Sequence, residues 1–329
     1  MIIHGSGCCA VMSKKVMGNA RYRKDENLMI NQKYEHVIVV AIDGGGAFLK
    51  ETPTPCFDKI FANGAVTYQA LSSRPTISAE CYGSMLTGTG PEIHGFTNAI
   101  LWSTPNDINS PNPSLFRRIR EVMPEAELGS YCDWNPITHG IVENNLGVSH
   151  DTARDTELTP IVCDYIREKK PTFLFVQLDS VDGAGHTHGY GTPQHLNRIT
   201  EVDLLVNDIY NAVDEAGILE DTLFMVITDH GGFESTHGGW TDGEKYVTFG
   251  VTGKNVQNTA ITEMNIRDLS AIVLYALGIE RPEFDEKGWT SQIPVDIWSD
   301  ETIPEYRDIS HLTGAAPRIS REAHTSELI

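Results

Sequence analysis

Long apolar runs are missing from this 329-residue sequence, and without about 18 consecutive apolar residues it offers no membrane span. Cysteine is sparse too. Cys8, Cys9, Cys56, Cys81, Cys132 and Cys163 contain no CxxC pair and are too few for a disulfide scaffold. They read as reduced thiols, and the cytoplasm is the expected location. Basic residues are short as well: 25 Lys and Arg stand against 45 Asp and Glu, a net charge of −20. That balance argues against binding a nucleic-acid duplex, because each phosphate would add to the repulsion. A phosphate ligand here needs local cations or metals. No repeat, low-complexity run or Pro/Gly/Ser linker divides residues 30 to about 300.

What is present is the grammar of an α/β enzyme. YEHVIVVAID (34–43) is a short β-branched run ending in an acid and then GGG, which predicts a buried parallel strand that delivers Asp43 at its carboxyl end. PTFLFVQLDSVDGAGH (171–186) and DTLFMVITDHGG (221–232) repeat the pattern. A helix is expected over 192–217, opened by Thr-Pro, with others in 159–170 and in 265–278, the last stopping at Gly278. Strands alternating with helices imply a doubly wound, mostly parallel sheet with its ligand site beyond the carboxyl ends of the strands. The expected organisation is one catalytic domain over 30–305 between tails at 1–29 and 306–329. IIHGSGCCAVM is too short and interrupted for a signal h-region, so Met29 is read as lying near the true start.

Asp182 and His186 stand four residues apart, a spacing that lets both side chains meet if the backbone makes one helical turn. Asp229 and His230 are adjacent at a strand end, and His237 follows seven residues later. Any one of these alone is an ordinary helix pair or loop tip. Together they supply imidazole and carboxylate, the ligand mixture of Zn²⁺ or a similar transition metal.

In this order AIDGGG, PTISAECYGSMLTGTGPEIHGFTN, DSVDGAGHTHGYG, ITDHGG and STHGG closely resemble the alkaline phosphatase superfamily, in particular its type I phosphodiesterase/nucleotide pyrophosphatase branch. The resemblance runs from about residue 36 to residue 298. It implies an alkaline-phosphatase-like fold and two divalent metal ions, Zn²⁺ with Mn²⁺ as the alternative. Carried over, it implies that Asp43, Asp229, His230 and the nucleophile hold one metal, and that Asp182, His186 and His237 hold the other. The family's run of Pro-Thr, one further residue, a reactive Ser or Thr, and a Thr-Gly ten residues on selects Ser78. Thr87-Gly88 falls nine and ten residues beyond it, and Thr76 remains the alternative nucleophile. His94 and Asn98 are implied to be structural or pocket-wall residues. The implied chemistry is in-line attack by Ser78, a covalent phosphoseryl intermediate and its hydrolysis.

Two departures matter. Many phosphodiesterases of this branch carry an Asn three residues after the nucleophile, where this chain has Cys81, a weaker donor. Members often carry a large cap before the final His, where this chain has only residues 231–236. The specificity surface is therefore expected from 96–157, with Trp102, Tyr131 and Trp134. Arg74 and Lys245 are considered as substrate cations, with an ordinary surface ion pair the preferred reading of each. His139, His150, His188 and His195 are expected to be bystanders. The expected function is a metal-dependent hydrolase of small-molecule phosphate esters, with phosphodiester or pyrophosphate bonds first. A phosphomonoesterase or phosphonate hydrolase, and a non-catalytic binding scaffold, are the alternatives, and a homo-oligomer is left open. A sulfatase is disfavoured, because Ser78-Ala-Glu-Cys-Tyr lacks the Pro and Arg of that family's run.

Overall fold

The computed structural model describes residues 32–312; Cys8, Cys9, the tail expected over 1–29 and residues 313–329 lie outside the described residues. Eight strands are present: β1 His36–Ile42, β2 Ala65–Leu71, β3 Leu128–Cys132, β4 Ser149–Asp151, β5 Phe173–Leu178, β6 Thr222–Thr228, β7 Tyr246–Thr252 and β8 Thr259–Ala260. They form one sheet in the order β4-β3-β5-β1-β6-β7-β2-β8. Only β7 runs against its neighbours; every other pairing is parallel. The helices are α1 Pro55–Ile60, α2 Ser78–Thr87, α3 Pro91–His94, α4 Asn98–Ser103, α5 Leu115–Val122, α6 Asp155–Lys169, α7 Ser180–His188, α8 Pro193–Glu215, α9 Asp242–Lys245 and α10 Asp268–Ala276. Among the described residues no helix is long and apolar enough to cross a membrane.

The unbroken apolar run of β1 follows from its central place. Val37, Val39 and Ala41 face a core shared with α2, α5 and α10, while Ile38, Val40 and Ile42 face a second core shared with α1, α6 and α8. A strand covered on both faces needs no polar alternation. Thr192 caps α8, accepting from the His195 N–H, as the Thr-Pro signal predicts. α6 departs from expectation, beginning at Asp155 and carrying Pro160 inside it. Proline removes only the bond to the Thr156 carbonyl on the exposed side of the helix, where water can replace it. The early start has a use, because the Asp155 carboxylate accepts from the N–H groups of Asp179 and Ser180 just beyond β5. Past residue 305, Tyr306 donates to Asp268 and Ile309 is buried.

The parallel register sets the site. Ile42 pairs with Leu178 on one side and Thr228 on the other. The next residues, Asp43, Asp179 and Asp229, therefore emerge level at the carboxyl edge of three adjacent strands. No large cap intervenes before His237, and residues 231–236 close as a turn bridged by Phe233 and Thr236.

Candidate active site

Asp43, Asp229 and His230 form a fully buried cluster. Asp43 Oδ2 accepts from Gln177 Nε2 at 3.0 Å. Asp229 Oδ1 accepts from the N–H of Gly44 at 3.0 Å and of His230 at 2.8 Å. The other oxygens, Asp43 Oδ1 and Asp229 Oδ2, are buried with no hydrogen-bond partner among the described residues. Burial, and then the neighbouring acids, push both carboxyls well above their usual range. Gly44 has to be glycine: its φ is +66°, and a Cβ would lie 2.6 Å from Asp182 Oδ1.

Asp182, His186 and His237 form the second cluster, more open to solvent. One helical turn in α7 does bring Asp182 and His186 together, with Nε2 to Oδ2 at 3.2 Å. In both clusters the imidazoles are oriented alike. His237 Nδ1 lies 2.7 Å from the Thr76 carbonyl, His186 Nδ1 3.0 Å from that of Ser235, and His230 Nδ1 2.9 Å from that of Gly231. A carbonyl oxygen can only accept, so each Nδ1 carries a proton, and the neutral rings of His230 and His237 turn an Nε2 lone pair inward. Burial lowers His230 and brings His237 down to about 3, which keeps both neutral. The hydrogen bond to Asp182 raises His186 to about 9, while Asp182 itself, despite burial, falls below its usual range beside the imidazoles.

A lone pair of His230 beside the orphaned oxygens of Asp43 and Asp229 is a donor set of the kind a cation needs. His237 Nε2 and His186 Nε2 face each other at 3.2 Å beside Asp182, a gap that either the His186 proton or a cation fills. The donor set therefore fits a divalent cation in each cluster, with nitrogen and oxygen ligands suited to zinc.

Ser78 opens α2, and its Oγ lies 3.3 Å from His230 Nε2, on the first cluster. Thr76 is otherwise engaged. Its hydroxyl donates to the Gly239 carbonyl and accepts from the Gly238 N–H, so it braces the turn carrying His237. At the helix start the Ala79 N–H donates to Asn98 Oδ1 at 3.1 Å, and among the described residues the Ser78 N–H has no partner. His94 is structural: its Nδ1 accepts from the Phe96 N–H and its Nε2 lies 3.2 Å from the Glu80 carbonyl.

Three expectations are corrected. Cys81, three residues after Ser78 in α2, is fully buried in the core with its Sγ 3.3 Å from Ser72 Oγ, so its thiol is not presented to a substrate. Tyr131 packs into the core against Tyr165. His195 is no bystander, since its buried ring accepts from the Gly191 N–H and donates to the Gly44 carbonyl. His139, His150 and His188 are exposed. Trp134 sits between Tyr82 and the 60% exposed Trp102. Lys245 pairs with Asp242, whereas Arg74 has no ion pair among the described residues and lies over the Trp240 ring.

Sequence reasoning missed Tyr190, whose hydroxyl donates to Asp182 Oδ1 at 2.5 Å, and Gln177, which bridges Asp43 and Asp179. Gln177 had a signal, a lone amide inside the apolar strand FLFVQL; Tyr190 had none. A cavity of about 550 Å³ lined by Tyr275, Arg281, Phe284 and Arg307 contains none of these site residues.

The sequence model of the type I phosphodiesterase/nucleotide pyrophosphatase family matches residues 37–116 and 129–268. GPI ethanolamine phosphate transferase 2 of Aspergillus fumigatus is 25% identical over 224 residues, which are 64% of this chain and 29% of that protein. Ectonucleotide pyrophosphatase/phosphodiesterase family member 7 of Rattus norvegicus is 20% identical over 221 residues, 61% of this chain and 50% of its own length. The chain thus spans half or less of these curated relatives. Murine ectonucleotide pyrophosphatase/phosphodiesterase 5 shares the fold, with a TM-score of 0.62 at 14% identity over 76% of this chain and 97% of that one. With the family's motifs level at three strand ends and its sequence model covering most of the sheet, the chain belongs to the type I phosphodiesterase/nucleotide pyrophosphatase family.

Proposed function

We propose that this chain hydrolyses phosphate esters, with phosphodiester or pyrophosphate bonds first, using Ser78 as nucleophile and two divalent cations, Zn²⁺ before Mn²⁺. The observation that carries the reading is the common orientation of His186, His230 and His237, each with Nδ1 on a backbone carbonyl and Nε2 turned toward the carboxylates, together with Asp43 Oδ1 and Asp229 Oδ2, buried beside His230 and unsatisfied among the described residues. Asp43, Asp229, His230 and Ser78 would hold one cation, and Asp182, His186 and His237 the other. Bound there, the cations would lower the pKa of the Ser78 hydroxyl and offset phosphate charge in a protein of net charge −20.

Ser78 Oγ gives up its hydroxyl proton to solvent and forms the new bond to phosphorus while the ester P–O bond opposite it breaks and the leaving oxygen takes a proton from solvent. Water then releases the phosphoryl group from Ser78. The Ser78 N–H, at the start of α2, is the helix amide available to a phosphoryl oxygen, because Asn98 already holds that of Ala79. Gln177 keeps Asp43 oriented, and Tyr190 does the same for Asp182.

The test is turnover of bis-p-nitrophenyl phosphate by zinc-loaded protein, with acid quenching to trap phosphoserine. Ser78→Ala should lose at least about 10³-fold in kcat and all trapped phosphate. Unchanged turnover would remove Ser78 from the mechanism. A preference for p-nitrophenyl phosphate by several orders would favour the monoesterase reading.

A further inference from the structure

Arg74 adjoins the second cluster and has no ion-pair partner among the described residues. Residues 74–76 and 237–240 are zipped together: His237 Nδ1 donates to the Thr76 carbonyl at 2.7 Å, the Gly238 N–H donates to Thr76 Oγ1 at 2.9 Å, and Thr76 Oγ1 donates to the Gly239 carbonyl at 3.1 Å. The zipper continues in Arg74, whose guanidinium carbon lies 5.7 Å from the centre of the Trp240 ring. Arg74 Nε is buried with no hydrogen-bond partner among the described residues. The contrast with Lys245, neutralised by Asp242 at 2.5 Å, is informative. In a chain with 45 acidic residues, a half-buried guanidinium that none of the described carboxylates has claimed is held for an anion that arrives from outside. Trp240 supports the flat face of the group and leaves its N–H edge available.

The position says which part of a substrate that anion belongs to. Ser78 Oγ is on the first cluster, 3.3 Å from His230 Nε2, and in-line displacement puts the leaving oxygen on the opposite side of phosphorus. The second cluster lies across the His230–His237 stack, and Arg74 adjoins the turn that carries His237. We propose that Arg74 is a specificity-determining residue that binds an anionic oxygen group, carboxylate or phosphate, on the leaving alcohol. The preferred substrates are then esters with a second negative charge beyond the reacting phosphorus. This inference rests on the phosphoryl-transfer reading above.

Two chromogenic probes differing by one charge test it: methyl 4-nitrophenyl phosphate and methyl 3-carboxy-4-nitrophenyl phosphate, with the 3-phosphonomethyl analogue to rank phosphate-like against carboxylate binding. In zinc-loaded protein, Arg74→Gln should lose about 10- to 100-fold in kcat/KM on the charged esters and stay within about 3-fold on the neutral one. Arg74→Lys should recover part of the loss. Calorimetric binding of the two leaving phenols gives the same comparison without turnover, with 3-carboxy-4-nitrophenol losing about tenfold or more in affinity. Equal losses on both esters, or none on either, would overturn the assignment while leaving the proposed chemistry intact. If wild type cleaves neither ester, the phosphoryl-transfer reading falls and this one with it.

Discussion

The imidazoles of His230 and His237 are stacked 3.9 Å apart at 18° between planes, one ring from each cluster, so the two clusters share a wall. Stacked imidazolium ions would repel, and burial holds both rings neutral. With Nδ1 bound to a backbone carbonyl, each neutral ring is fixed with its Nε2 lone pair turned toward its cluster.

His186 makes the second cluster sensitive to pH. Its proton, held up to about 9 by Asp182, occupies the place a cation would take. Below that value each cation bound there must displace one proton. Zinc affinity at this cluster should therefore fall by about tenfold per pH unit between pH 8 and 6, as read by competition with a chromophoric chelator.

Asp43→Asn should have opposite effects on the metal-free and zinc-loaded proteins. Asp43 and Asp229 have raised pKa values, so the metal-free fold binds their protons more tightly than the unfolded chain does. Its stability accordingly falls as pH rises above about 4, the unfolded carboxylate range. Removing one carboxylate relieves that term, and in chelator at pH 7 the variant should melt roughly 2 °C or more above wild type. In zinc the order should reverse, and metal analysis should find one ion per chain in place of two.

Tyr190→Phe tests a positioning role. The variant keeps the ring packing but loses the 2.5 Å bond that orients Asp182. Zinc affinity at the second cluster should weaken by about 10- to 100-fold, and affinity at the first should stay unchanged. Equal weakening at both would mean that the ring, and not the hydroxyl, supports the site.

His94 contributes to acid sensitivity of the fold. Burial lowers it to about 3, so between pH 6.5 and 3 the unfolded chain takes up a proton that the native one refuses. Stability is complete above 6.5 and is lost as pH falls, by about 2 kcal/mol at pH 5. Denaturant titrations in chelator should show wild type losing about that much more than His94→Gln between pH 7 and 5.

Much of the site was legible because its residues are local to strand ends. Asp43, Asp182, Asp229 and His230 each follow an apolar β-branched run within a few residues, and the α7 turn joining Asp182 to His186 is a matter of spacing. Cys81 and Tyr131 were misplaced because three residues along a helix, or a hydroxyl inside a strand, does not say which core the side chain enters. Tyr190 lies eight residues from Asp182 across a turn between α7 and α8, with no periodicity to connect them.

By itself the sequence determined a doubly wound sheet and the identity of the donors at its carboxyl edge, because apolar periodicity and strand-end motifs are local properties of the chain. Only the tertiary structure decided how those donors combine. The level register of β5, β1 and β6 groups them, backbone carbonyls distant in the chain fix the tautomers of His186 and His237, and Thr76 is drawn into a brace while Ser78 faces His230. It also left Arg74 unpaired beside Trp240. Those outcomes depend on contacts between segments more than a hundred residues apart, and a hydrogen-bond partner at that distance leaves no trace in local composition.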